Sequence, residues 1–201
     1  MLRLFVALSF AFVLPAAAEC RLALVLAVDV SRSVDVSDYL IQTEGLALAL
    51  QDPEVQAAIL PADGEVALAV YYWSGANHQE MVVPWVVLSG PGDLAEVVAQ
   101  VRAAERPARP LPTALGYALM FGAEVMAEAP PCARRVLDVA GDGRNNDGIS
   151  VASAYRREDF GDIIVNGLAI GEHEADVAEY YRAEVIRGPG AFVEVAATQA
   201  D

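Results

Sequence analysis

Lysine is missing from this chain: all 13 basic residues are arginines, set against 28 aspartates and glutamates, for a formal charge of −15 at pH 7. A phosphate backbone is bound by a basic surface that displaces its counterions, so nucleic acid is excluded as a natural partner. An anionic membrane face is excluded on the same ground. The balance fits solubility and attraction to cations or basic partners. Histidine is nearly absent, with His78 and His173 alone. No Walker-type or Gly-x-Gly-x-x-Gly phosphate loop occurs, and no serine elbow. No internal repeat, low-complexity tract or linker divides the chain. The longest apolar run, Leu4–Leu14, is broken by Ser9 and falls short of the roughly 20 residues a membrane helix needs. Apolar residues nevertheless make up 55% of the chain, which excludes disorder, and 201 residues suit one domain with a full core.

The amino terminus has the composition of an export signal. Arg3 precedes the apolar run, Pro15 follows it, and Ala16, Ala17 and Ala18 supply the small residues of a cleavage site. The expectation is a signal peptide over 1–18 and a single domain over 19–201, periplasmic or secreted. A buried first helix is the competing reading, and the lack of any polar face argues against it. A lipoprotein signal at Cys20 is opposed by acidic Glu19, where a small residue is wanted.

Cysteine is scarce too, with Cys20 and Cys132 only. An oxidising compartment makes a disulfide the default, with two free buried thiols as the alternative. Each cysteine precedes an apolar strand that ends at an aspartate, Asp29 in one case and Asp142 in the other, at nearly equal spacing. Two such strands lying side by side and parallel would put both thiols at one edge of the sheet and both aspartates at the other.

Strand and helix patterns alternate along the remainder. Strands are predicted at 22–28, 65–73, 80–88, 134–140, 163–170 and 190–197, and Pro84 marks its strand as an edge. Helices are predicted at 37–50, with a short continuation at 54–60, and at 93–104, 113–128, 149–160 and 174–186. On the first, Leu40, Thr43, Leu46, Ala47 and Leu50 share a face. This alternation implies an α/β fold: a Rossmann-like, doubly wound, mostly parallel six-stranded sheet with one antiparallel edge strand and helices on both faces. Such sheets bind ligands beyond the carboxyl ends of their strands. Oxygen-bearing residues gather there: Asp29, Ser31 and Ser33 after the first strand, Thr113 after a proline-rich loop, and Asp142 after the 134–140 strand. Hard oxygen donors suit Mg²⁺ or Mn²⁺ and suit zinc or copper poorly. The plainer alternative makes the serines helix caps and the aspartates solvated turns.

At these residues the chain resembles the von Willebrand factor A domain family and its metal-ion-dependent adhesion site. That motif is an Asp-x-Ser-x-Ser turn, here Asp29, Ser31 and Ser33, followed by a distant Thr and a distant Asp, here Thr113 and Asp142. The resemblance covers about residues 21–197. Within the family, Asp29–Val34, Gly141–Asn146 and Asn166–Ile170 are similar to a bacterial group of exported proteins without an assigned function. It implies a three-layer sandwich in which Ser31, Ser33 and Thr113 hold a metal directly and Asp29 and Asp142 act mostly through water. Neutral direct ligands leave the cation able to attract an outside carboxylate. The implied function is capture of an acidic group on a protein or cell-envelope partner. In the family a final helix follows the last strand; none is predicted before Asp201, so an edge helix position is expected to be open or filled by a partner. Binding would then proceed without the affinity switch that relatives build on that helix.

Two other functions remain open. A phosphohydrolase could use Asp29 as nucleophile, but such enzymes want a second acid two residues on, where Ser31 stands. A structural interaction domain with an incidental metal is the other. Arg32 and Arg144 flank the site and could steer an acidic partner, or form ordinary ion pairs. His78 could fall near the metal face, although an exposed loop position fits it better; His173 is given no role. Trp73 and Trp85 are read as core, and Glu172, Glu174 and Asp176 as a solvated helix start.

Overall fold

The computed structural model describes residues 20–60 and 64–200, so the expected signal peptide lies outside the described residues. The nearly unbroken apolar run after Cys20 forms the central strand β1 (Cys20–Asp29), with Ala23, Val25 and Ala27 buried on one face and Leu22, Leu24 and Leu26 half-buried on the other. β2 (Glu65–Trp73) lies parallel on one side of it and β4 (Arg135–Gly141) parallel on the other. β3 (Gln79–Leu88) runs antiparallel to β2 and forms one edge, where Pro84 costs no ladder bond. β5 (Ile164–Ile170) and β6 (Val193–Ala196) continue the parallel set, giving the order β3-β2-β1-β4-β5-β6. The order reverses at β1, so β1 and β4 flank the switch point.

Helices cover the two faces unequally. On one face α4 (Leu115–Ala127) and α5 (Val151–Arg157) pack over Ala23, Val25, Ala27, Tyr71 and Leu137. Gly122 brings α4 close to the sheet, since a β-carbon there would lie 2.6 Å from Leu137 Cδ2. On the other face α1 (Val36–Ala49) and α3 (Pro91–Ala103) close over Val66, Leu68, Val70 and Tyr72, with α2 (Pro53–Ile59) between them in sequence. Each large side chain fully buried in these layers contributes about 1.5–3 kcal/mol.

Caps fix the helix starts. Asp35 accepts from the amides of Ser37 and Asp38, and Asp38 returns a bond to the Asp35 amide. Asp52 caps α2 with Pro53 in its first turn, making it a separate helix rather than a continuation. The inward face of α1 differs from expectation. Tyr39 is buried against Tyr72, whereas Leu40 is 62% exposed, because the stripe runs through Tyr39, Thr43, Ala47 and Leu50. The helix expected at 174–186 is instead a short α6 (Val177–Tyr180) continued by a π-helical turn, Tyr181–Val185.

Cys20 and Cys132 are joined, with Cα atoms 4.5 Å apart, at the amino ends of the paired strands β1 and β4. The carboxyl ends of those strands carry Asp29 and Asp142. Closing a loop of 112 residues stabilises the fold by about 4–5 kcal/mol in the chain-entropy account. Thiol titration of the denatured, unreduced chain should find no reactive group. Reduction should lower the melting temperature; two free thiols would contradict the bond.

Candidate metal centre

The site is assembled from three loops at the carboxyl ends of β1 and β4 and ahead of α4. The loop after β1 is not helical, and the cap of α1 is Asp35, so Ser31 and Ser33 are not spent as helix caps. Asp29 is fully buried; its Oδ1 accepts the Ser31 amide at 2.7 Å. Thr113 Oγ1 donates to Ser31 Oγ at 3.2 Å, and the Ser31 and Ser33 hydroxyls lie 3.4 Å apart. Ser33 Oγ donates to Asp142 Oδ1 at 2.6 Å. The five residues separated in sequence therefore form one connected cluster.

Other residues, which sequence reasoning passed over, hold it in place. Asn146 Oδ1 accepts the Thr113 amide at 2.9 Å, while the amides of Asn146 and Asp147 donate to Thr113 O. Asn145 Oδ1 accepts the Gly116 amide, and Asp147 Oδ2 accepts that of Ala76. Gln42 donates to the Asp29 carbonyl at 3.0 Å. Gly148 lets the loop turn back with φ 68°, and Gly141 admits no side chain: a β-carbon would lie 2.5 Å from Tyr181 Oη and 3.1 Å from Asp29 Oδ2. These polar side chains sit in the turn after β4, where the Gly141–Gly148 composition was the available signal.

His173 is the clearest omission. Its Nε2 lies 2.9 Å from the Ser33 carbonyl and 3.9 Å from Asp142 Oδ2. A carbonyl only accepts, so this bond places a proton on Nε2. The signal was positional, since His173 follows β5 by three residues at the same rim. With Arg32, Ser33, Pro112, Thr113, Asp142, Gly143, Asn146 and Glu174 it lines a cavity of about 420 Å³ that opens the cluster to solvent.

The remaining candidates separate. Arg32 is exposed on the cavity wall. Arg144 points away into ion pairs with Glu174 at 3.7 Å and with Asp176, and lies 5.6 Å over the Tyr180 ring. Glu174 and Asp176 are thus ion-pair partners as well as solvated acids. His78 sits in the β2–β3 turn, half-buried rather than exposed, with a buried Nε2, and does not line the cavity. Trp73 is fully buried and Trp85 donates to the Val125 carbonyl, as core residues do.

Electrostatically the cluster lacks a positive charge. Asp29 Oδ2 and Asp142 Oδ2 are buried without hydrogen-bond partners. Burial, then the neighbouring Asp142, pushes the Asp29 carboxyl up to about 8, and burial raises Asp142 as well. No trio of His, Cys, Asp and Glu at metal-binding distance occurs among the described residues. The donor set is instead three hydroxyls with two acids behind them, which fits a hard divalent cation.

The fold is that of von Willebrand factor A domains. It resembles a von Willebrand factor type A protein from Catenulispora acidiphila with TM-score 0.66 at 15% identity, covering 90% of this chain and 40% of that one. It also resembles proximal thread matrix protein 1 from the mussel byssus, solved with a zinc-occupied adhesion-type metal motif, with TM-score 0.59 at 13% identity over 92% and 46% of the two chains. An aerotolerance-related membrane protein from Bacteroides fragilis, with multiple mutations to serines, superposes with TM-score 0.60 at 13% identity over 89% and 93%. None of the three is described as an enzyme. This chain spans less than half the length of the first two. Residues 19–201 match the family described as Protein of unknown function (DUF1194), and the chain belongs to it. No curated protein matches the sequence.

The raised acids make a pH prediction. An Asp whose folded-state affinity for a proton exceeds its ordinary one favours the fold below the usual carboxylate range. That contribution is lost as pH rises through about 8 for Asp29. In EDTA, the melting temperature should therefore fall between about pH 5 and 8, with a flatter profile in Asp29→Asn. Mg²⁺ should stabilise most at the alkaline end. A metal-free profile identical in Asp29→Asn would refute the assignment.

Proposed function

We propose that this chain is an exported, metal-dependent binding module that captures an acidic group of a protein or cell-envelope partner. The observation that carries the reading is the pairing of three clustered hydroxyls with two buried carboxylates whose outer oxygens have no partner. Ser31, Ser33 and Thr113 would hold Mg²⁺ or Mn²⁺, with Asp29 and Asp142 behind them. When bound, the ion supplies a coordination position for an outside carboxylate. Ser33 and Thr113 both line the cavity, so a partner's side chain can approach them from solvent. Arg32 on the same wall offers a local positive charge within a chain of net charge −15. Export is supported by the disulfide and by the leader-like composition of residues 1–18. Among the described residues no helix is long and apolar enough to cross a membrane.

Asp29 is ill placed for the rival phosphohydrolase chemistry. A nucleophilic carboxylate must be ionised and reach substrate, whereas Asp29 has no solvent exposure, one oxygen committed to the Ser31 amide, and a raised proton affinity.

Mg²⁺ or Mn²⁺ at about a hundredfold excess over Kd should stabilise the chain by about 2.7 kcal/mol, a melting shift on the order of 5–10 °C. Ser31→Ala combined with Ser33→Ala should abolish the shift, from a metal-free melting point that is itself lowered by the lost bonds to Asp142 and Thr113. Capture of partners from cell-envelope extract should be lost in EDTA and in the double variant. Capture that persists in EDTA would favour an interaction domain with an incidental metal.

A further inference from the structure

Beside the hydroxyl cluster lies a second group of polar atoms that the binding role leaves unused. Asp29 Oδ2, Tyr181 Oη, Trp73 Nε1 and Ser74 Oγ are buried without hydrogen-bond partners, and all four residues are shut off from solvent. Three of them converge. A β-carbon on Gly141 would lie 2.5 Å from Tyr181 Oη, 3.1 Å from Asp29 Oδ2 and 3.3 Å from Trp73 Cζ2, a ring atom two bonds from Nε1. The phenol oxygen and the outer carboxylate oxygen are therefore within reach of each other, directly or through one water. Leaving a donor and an acceptor buried side by side and unpaired is costly to both.

The backbone is shaped to bring the phenol there. Tyr181 comes from the segment between β5 and β6, whereas Asp29 closes β1, two strands from β5. On its way the side chain passes two glycines. A β-carbon on Gly167, in the middle of β5, would lie 2.6 Å from Tyr181 Cδ1, and one on Gly141, at the end of β4, would meet the hydroxyl. A side chain at either position would displace the phenol. The turn that carries it is π-helical, with the Ile186 amide donating to the Tyr181 carbonyl at 3.1 Å. Such turns recur at functional sites. Its neighbouring tyrosines part company: Tyr180 lies under the Arg144 guanidinium, and Tyr181 is fully buried. From α5, Tyr155 fastens the same turn by donating to the Val185 carbonyl. Burial, and then the charge of Asp29, holds the Tyr181 phenol well above its ordinary range, so it stays a donor.

We propose that Tyr181 is a positioning residue of the metal centre, its hydroxyl donating to Asp29 Oδ2, directly or through one water, when a divalent cation is bound. The inference rests on the metal reading of the site and deepens it. Asp29 Oδ1 is already committed to the Ser31 amide, so a donor on Oδ2 would fix the whole carboxylate behind the Ser31 hydroxyl. A hydrogen bond to the charged form of an acid favours that form. Side chains standing behind the direct ligands carry much of a metal site's affinity.

The test titrates Mg²⁺ by calorimetry into the parent, Tyr181→Phe and Tyr155→Phe, each of which is also melted in EDTA. Tyr181→Phe keeps the ring beside both glycines, so its metal-free melting temperature should match that of the parent, while its Mg²⁺ affinity falls about tenfold or more. Tyr155→Phe loses a bond to the same turn and should melt lower without metal, yet bind Mg²⁺ as the parent does. Mg²⁺ should also shift the near-ultraviolet absorbance of the parent's tyrosines, and Tyr181→Phe should lack that shift. Equal affinity in the parent and Tyr181→Phe overturns the proposal. So does an equal loss in the two variants, which would make the hydroxyl a packing element of the turn. A parent that takes up no Mg²⁺ refutes the metal reading, and this inference with it, an outcome distinct from the other two.

Discussion

Two carboxylates end up at the carboxyl rim of adjacent parallel strands, out of contact with solvent, each with one oxygen that no protein group satisfies. Burying such groups is costly unless a partner of opposite charge is supplied. Among the described residues no arginine acts on Asp29, and the imidazole of His173 comes no nearer than 3.9 Å to Asp142. The surrounding architecture is organised around this deficit. The hydroxyls of Ser33 and Thr113 line the approach with that of Ser31 behind them, asparagines fasten the Thr113 loop, and Gly141 leaves the space that Asp29, Tyr181 and Trp73 share. Burial raises the proton affinity of both acids, so a proton and a cation would compete for the same two carboxylates.

The two faces of the sheet express a second asymmetry. One is sealed by α4, α5 and the α6–π segment, which reaches Tyr181 in beneath Gly141 and Gly167. The other is sealed only as far as β1. The rim that carries the five clustered residues therefore rests on the packed layer.

The strands were legible because parallel central strands are apolar throughout, and β2 falls at its predicted limits, Glu65 and Trp73. The edge role of β3 followed from Pro84. The nearly equal spacing of Cys20 and Cys132 from their aspartates anticipated the pairing of β1 with β4, because strand residues advance by a constant rise. The five clustering residues were legible as a pattern that resembles a known family. Helical faces were less so. Leu40 and Tyr39 are neighbours about 100° apart around the helix, and the choice between them was made by Tyr72 across the interface. The π-helical turn left no sequence mark that periodicity could detect. His173 was overlooked because its partner is a backbone carbonyl, and a carbonyl is silent in a sequence.

The bond between Cys20 and Cys132 lies at the opposite end of β1 and β4 from the residues that cluster. Slippage between two strands by a single position turns every side chain of one of them to the other face. For these strands that would carry Asp29 away from Asp142 and scatter the oxygen donors. A covalent tie at the far end forbids the slip. The alignment of the two acids, carried by the ladder between the strands, is thus locked by a crosslink outside their own neighbourhood, so that its reduction would loosen the oxygen cluster as well as the fold.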